Sequence, residues 1–242
     1  MNIYPSNFSS PFKPTSLEDF VISDDVSRSQ LEAVVNGRLP FPLFGKNAIC
    51  IWGVNGSGKT TLAEMLPQLL DQSANLIGSQ RKAGVFEAKR FWDLTECAIG
   101  MNSVTMLADL NKRCKSMTAL SSSGWHYEIL DEVDNLTPAA QASLKTAITF
   151  ANSTIFILTT NHPSKLDKGI LDRSLLLEMN QPKPAECVPL AIRFLKQMGL
   201  TGNKVPTSTI EKIAKASNGS LRDFGTGIAT LGIGCGGVIN GC

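Results

Sequence analysis

Ala48-Ile49-Cys50-Ile51-Trp52, followed by Gly53-Val54-Asn55-Gly56-Ser57-Gly58-Lys59-Thr60-Thr61, is the stretch that decides the fold. Five apolar residues bounded by polar and glycine residues suit a buried parallel strand. The next eight match G-x-x-x-x-G-K-[ST], a phosphate-binding loop set between a strand and a helix. The spacing has a physical cause. Glycines let successive backbone N–H groups curl around phosphate oxygens, and the start of the following helix adds partial positive charge. Lys59 is then expected to reach the β- and γ-phosphates, and the Thr60 hydroxyl to ligate Mg²⁺. A helix is expected over 60–72, kinked at Pro67 because proline removes a donor to the preceding turn.

Moving outward, Tyr127-Glu128-Ile129-Leu130-Asp131-Glu132-Val133-Asp134 reads as an apolar strand ending in acid. Ligands of open α/β sheets bind at the carboxyl ends of the strands, so both carboxylates belong where the phosphate loop lies. Asp131 is expected to hold Mg²⁺, through water, and Glu132 to orient and deprotonate an attacking water. Asp134 reads as structural. Thr159-Thr160-Asn161 ends the next strand and places Asn161 beside the γ-phosphate. Arg173, in Leu171-Asp172-Arg173-Ser174, and Arg222, in Gly219-Ser220-Leu221-Arg222, follow in an order that suggests guanidinium groups meeting phosphate charge.

The remaining pattern alternates. Apolar runs at 127–130, 154–159 and 175–179, and a weaker one at 74–77, are read as strands. Helices are expected over 16–37 and 137–150, with one or two more inside 86–120. Thr137 serves as N-cap and Pro138 as first residue of the helix over 137–150. Such alternation predicts an α/β fold, a P-loop parallel sheet flanked by helices. After Gln181-Pro182-Lys183-Pro184 the strand signal stops, and helices follow at 185–199, 207–217 and from 221 onward. Residues 1–180 therefore read as the nucleotide-binding core and 181–242 as a small helical lid.

Composition narrows the class. With 43% hydrophobic residues, 242 residues are enough for a large core and exclude disorder. Lys+Arg 23 against Asp+Glu 21 gives a net charge of +2, too small to mark a nucleic-acid binder. No apolar run reaches the roughly 18 residues of a membrane span, and residues 1–10 lack the pattern of a secretory signal. Six cysteines without a C-x-x-C pair, beside two histidines, argue against a zinc site and for reduced thiols. A cytoplasmic protein without membrane partners is expected, nucleoid-associated or in a host's cytoplasm if viral.

Taken together these motifs resemble an AAA+ ATPase, and within it a clamp-loader subunit of the replication factor C small-subunit (DNA polymerase III gamma-like) type. The resemblance begins at Pro11-Phe12-Lys13-Pro14-Thr15-Ser16-Leu17-Glu18-Asp19. It runs through the phosphate loop, Leu130-Asp131-Glu132-Val133-Asp134-Asn135-Leu136-Thr137 and Ala140-Gln141-Ala142-Ser143-Leu144. It closes with Thr160-Asn161, Ser164-Lys165-Leu166 and Leu171-Asp172-Arg173-Ser174. By that resemblance Asn161 is sensor 1, Arg222 is sensor 2, and Arg173 is an arginine finger that completes a neighbouring subunit's site.

The resemblance implies Mg²⁺-dependent hydrolysis of ATP to ADP and phosphate. It also implies other clamp-loader-type subunits, a sliding clamp and primer-template DNA as partners. Arg81, Lys82, Lys89, Arg90, Lys112, Arg113 and Lys115 would contact DNA phosphates without reading sequence. The chain departs from the family at Asp172-Arg173-Ser174, where the pattern is Ser-Arg-Cys, and it lacks the bacterial four-cysteine zinc insertion. The family's helical collar is not found before Cys242, so another polypeptide is expected to supply it, or assembly differs. A regulatory ATP-binding adaptor in a DNA transposition or other DNA-associated complex is the alternative.

Overall fold

The computed structural model describes residues 14, 16–76, 92–98, 108, 110, 123–200 and 205–237. They form two compact units. One holds Asp24–Gly53 and Lys59–Glu178; the other holds Val54–Gly58, the described residues before Asp24 and those from Met179 onward.

The first unit is built on a five-stranded parallel sheet: β1 (Ala48–Trp52), β2 (Trp92–Glu96), β3 (His126–Asp131), β4 (Thr154–Thr160) and β5 (Ser174–Glu178). The strand order is β2-β3-β4-β1-β5. Register sets the end of β1 beside the end of β4, with Ile51 opposite Thr159 and Trp52 opposite Thr160. β4 therefore separates β1, which feeds the phosphate loop, from β3, which ends in Asp131. Central strands are covered on both faces, so β4 is buried throughout and its sequence is apolar from Ile155 to Leu158, between Thr154 and the last two threonines.

Helices α1 (Asp25–Val35), α2 (Lys59–Leu76), α3 (Pro138–Phe150) and α4 (Lys168–Asp172) belong to the same unit. α3 starts as its sequence requires: the Thr137 hydroxyl accepts from the Ala140 N–H at 3.3 Å, and Pro138 fills a position that needs no donor. Its buried residues Ala140, Leu144, Ala147 and Ile148 join Cys50, Leu130, Phe156 and Leu158 of the sheet in one core. The wholly buried Glu128 of β3 meets the His126 ring at 3.1 Å.

In the second unit, α5 (Val188–Gln197), α6 (Thr207–Ala216) and α7 (Leu221–Gly234) share a separate core. Phe194, Leu195, Ile210, Phe224 and Ile228 form it together with Val21.

Three expectations are corrected. Residues 74–76 continue α2 instead of opening a strand, because Leu62, Leu66 and Leu70 recur every four residues and bury one side of the helix through Pro67. The helix expected over 16–37 begins only at Asp25, where the Asp24 carboxylate accepts from the Ser27 N–H at 2.7 Å. Before it, Phe20, Val21 and Ile22 are buried in succession, which a single helical face does not permit. Finally, Trp92–Glu96 is the strand β2, paired with β3, inside a stretch read as helical. It is a sheet edge carrying polar residues, so it has neither the apolar run of a central strand nor a helical period.

Candidate functional site

Lys59 opens α2, and its ammonium donates to the Gly53 carbonyl at 3.1 Å. Burial holds that ammonium below the usual lysine range, against the opposing pull of Asp131, Glu132 and Asp134. The Thr60 hydroxyl lies 3.0 Å from both Asp131 carboxylate oxygens. Asp131 also accepts from the Thr159 hydroxyl of β4.

Glu132 stands just past β3 with φ 58° and ψ 47°, a left-handed conformation that a side chain with a Cβ rarely adopts. Its N–H donates to Thr159 Oγ1 at 3.0 Å, and its exposed carboxylate accepts from Asn135 Nδ2 at 3.2 Å. Asp134 accepts from the Thr160 hydroxyl at 2.7 Å and from the Asn161 N–H at 3.3 Å, a bracing role between the acidic loop and β4. The Asn161 carboxamide makes no hydrogen bond among the described residues.

The loop residues Val54–Gly58 fall in the second unit. Gly56 has φ 75°, and a Cβ there would meet Ser220 Oγ at 2.6 Å. Its carbonyl accepts from the Leu221 N–H at 2.9 Å. The Ser57 hydroxyl is buried and has no hydrogen-bond partner among the described residues. Arg222 lies in the first turn of α7, exposed, and its guanidinium has no partner among the described residues.

Arg173 caps the end of α4 and donates from Nη1 to the Gly169 carbonyl at 2.9 Å; no ion pair joins it to Asp172 among the described residues. It immediately precedes β5, so it lies at the amino edge of the parallel sheet, whereas Asp131 and Glu132 lie at the carboxyl edge. The five residues of β5 span about 16 Å at the usual rise. The structure thus brings Lys59, Thr60, Asp131 and Glu132 together and leaves Arg173 away from them.

The model of the family described as "ATPase family associated with various cellular activities (AAA)" matches residues 49–180, from β1 to just past β5. The chain belongs to the AAA family. Among curated relatives it is 26% identical over 212 residues to replication factor C small subunit 2 of Pyrobaculum islandicum, covering 87% of this chain and 59% of that protein. It is 27% identical over 212 residues to the replication factor C small subunit of Thermofilum pendens, covering 87% of this chain and 58% of that one. The chain therefore spans less than two thirds of these relatives. A solved structure of a Thermotoga maritima RuvB variant superposes with a TM-score of 0.63 at 18% identity, over 89% of this chain and 63% of that one, a likeness of fold.

Thr159, Thr160 and Asn135 of this AAA chain brace the site, roles that no motif assigns to them. Their only signal was position: hydroxyls at the end of a buried strand need partners, and the acidic loop supplies them. Thr159→Val leaves the Glu132 N–H and an Asp131 oxygen each short of a bond, at about 1–3 kcal/mol per group. The expected result is a melting midpoint lower by a few degrees and a kcat lower by about tenfold or more, with ATP KM little changed. Thr159→Ser restores both.

Burial, assisted by the nearby Asp134, pushes the Cys50 thiol up to about 12. Burial likewise raises Cys97 to about 12, with Asp131, Asp134 and Glu132 adding to it. Both thiols beside this site are accordingly protonated packing groups. The basic clusters at 81–90 and 112–115 lie outside the described residues. Among the described residues, no helix is long and apolar enough to cross a membrane.

Proposed function

We propose that this AAA chain is an ATP-hydrolysing, clamp-loader-like subunit whose catalytic site is completed by a neighbouring protomer, acting on primed DNA with a sliding clamp. The observation that carries the reading is the pairing of Thr60 with Asp131 beside the buried, partly desolvated Lys59. A lysine at this cost is suited to a polyanion.

The residues fit the nucleotide. The Ser57 hydroxyl, without a partner among the described residues, and the Gly56 turn belong to the loop whose backbone N–H groups would take phosphate oxygens, with Val54, Asn55, Gly58 and Thr61 completing it. Thr60 and Asp131 would hold Mg²⁺, which when bound neutralises charge on the β- and γ-phosphates. Glu132 accepts a proton from water as the water oxygen bonds to the γ-phosphorus. The bond from that phosphorus to the β,γ-bridging oxygen breaks, leaving ADP and inorganic phosphate. Asn161 positions that water or reads the γ-phosphate, and Arg222 approaches the nucleotide from the lid. Arg173, at the opposite edge of its own sheet, meets the phosphate charge on the adjoining protomer.

Similarity to replication factor C small subunits supports the clamp-loading part of the reading. The test is ATP hydrolysis with and without primer-template DNA. Stimulation by a primed junction above that by single-stranded DNA is expected, and a rate indifferent to both removes the clamp-loading reading.

A further inference from the structure

Leu43-Phe44-Gly45-Lys46 is a two-residue hairpin at the entry to β1. Leu43 N–H donates to the Lys46 carbonyl at 3.1 Å and Lys46 N–H to the Leu43 carbonyl at 2.9 Å. The turn needs positive φ at both central residues, and they have it: 51° at Phe44 and 75° at Gly45. Glycine, asparagine or aspartate normally fills the first of these positions, and phenylalanine is an outlier there. The Phe44 side chain itself gains little from packing on the described residues, because it is 93% exposed. A solvent-facing aromatic held in a strained turn is a candidate for an external contact.

The hairpin is also anchored. Lys46 Nζ donates to the Asp172 and Ser174 carbonyls, each at 2.8 Å, on either side of Arg173. The Ala48 N–H donates to the Arg173 carbonyl at 3.2 Å. Asn47 Nδ2 donates to the Ile148 carbonyl at 2.5 Å, tying the same segment to the end of α3, where Phe150 is 75% exposed. Phe44 thus stands on a segment bonded to the backbone around Arg173, at the amino edge of the sheet, and Phe150 ends a helix bonded to Asn47 of that same segment.

We infer that Phe44 is an assembly knob: it seats on the carboxyl-edge, nucleotide-bearing face of a second copy of this chain and helps hold Arg173 in that copy's site. This rests on the reading that Arg173 acts in a neighbouring protomer. The occupant follows from the sheet's polarity. A donor at one edge and an acceptor site at the other make a head-to-tail contact, in which different surfaces of identical copies meet. Aromatic side chains are the residues that carry such contacts, and charged groups alone hold them weakly.

The test substitutes Phe44→Asn in the whole chain, a residue that tolerates the left-handed turn. Two readouts should separate folding from assembly, the first reporting a more stable chain and the second a weaker association. The melting midpoint of the dilute protein rises by about 2–4 °C as strain is relieved. The protein concentration giving half-maximal ATPase rate per subunit, with a matching shift in ATP-dependent sedimentation, rises by about tenfold or more. Association indistinguishable from the unmodified chain overturns the inference.

A mixture of the Glu132→Gln and Arg173→Ala proteins separates this inference from the reading beneath it. Recovered hydrolysis in the mixture, with Phe44→Asn associating normally, removes the knob and leaves the shared site. No recovery, with association weakened by Phe44→Asn, leaves the contact and removes the shared site.

Discussion

Replacing Glu132 with glutamine is expected to leave ATP binding intact and to lower turnover by about 10²- to 10⁴-fold, the usual contribution of a positioned general base. The substitution changes one atom and keeps the chain's geometry. Glutamine adopts the left-handed turn no worse than glutamate, its N–H still reaches the Thr159 hydroxyl, and its Oε1 still accepts from Asn135. What it loses is the basic oxygen. A nucleotide-binding titration and single-turnover hydrolysis with the same preparation separate the two effects. Unchanged kcat in this variant removes Glu132 from the chemistry.

Lys59→Ala is expected to act at the other step. Removing one partner of a buried charge pair costs about 2–5 kcal/mol, a fall in ATP affinity of roughly 30- to 4,000-fold. The fold should tolerate the change. The ammonium of Lys59 is desolvated in the protein, which holds it below the usual lysine range, so its removal relieves a cost of folding. The thermal midpoint should accordingly not drop. The same depression sets a pH signature for the unmodified chain. Above the lowered Lys59 pKa the free ammonium is partly deprotonated, and phosphate charge draws the proton back. Binding at alkaline pH should therefore be accompanied by proton uptake, seen in calorimetry as a dependence on buffer ionisation enthalpy and lost in Lys59→Ala. Uptake that persists in the variant assigns the proton to another group.

The strand-loop-helix of 48–72 was legible because two independent signals coincide there: an apolar run that only a covered strand explains, and a loop whose glycine and lysine spacing follows from phosphate chemistry. Asp131 was placed at the carboxyl edge by the same logic, since an apolar strand ending in acid has one direction. β2 was hidden because Trp92-Asp93-Leu94-Thr95-Glu96 is an edge strand, with too little apolar content to show a period. The roles of Thr159 and Thr160 were invisible for a different reason. Their partners, Glu132, Asp131 and Asp134, are 26 to 28 residues away, and only the pairing of β4 with β3 brings them together. The left-handed turn at Glu132 could not be read at all, because it is imposed by that tertiary contact and not by local preference. The anchoring of Phe44 likewise depends on Lys46 reaching carbonyls more than a hundred residues on.

The proposed function turns on one arrangement: Arg173 lies at the amino edge of the sheet and the Lys59–Asp131–Glu132 group at the carboxyl edge, so that a completed site is expected where two protomers meet. The most direct measurement mixes two inactive proteins, Glu132→Gln, which retains Arg173, and Arg173→Ala, which retains Glu132, and follows ATP hydrolysis against their ratio. Each alone should be nearly inactive, and the mixture should recover activity with a maximum between the two pure samples, because the first protein lends its arginine to the second. A mixture whose rate equals the weighted sum of its parts at every ratio, at concentrations where both bind ATP, contradicts a site shared between protomers.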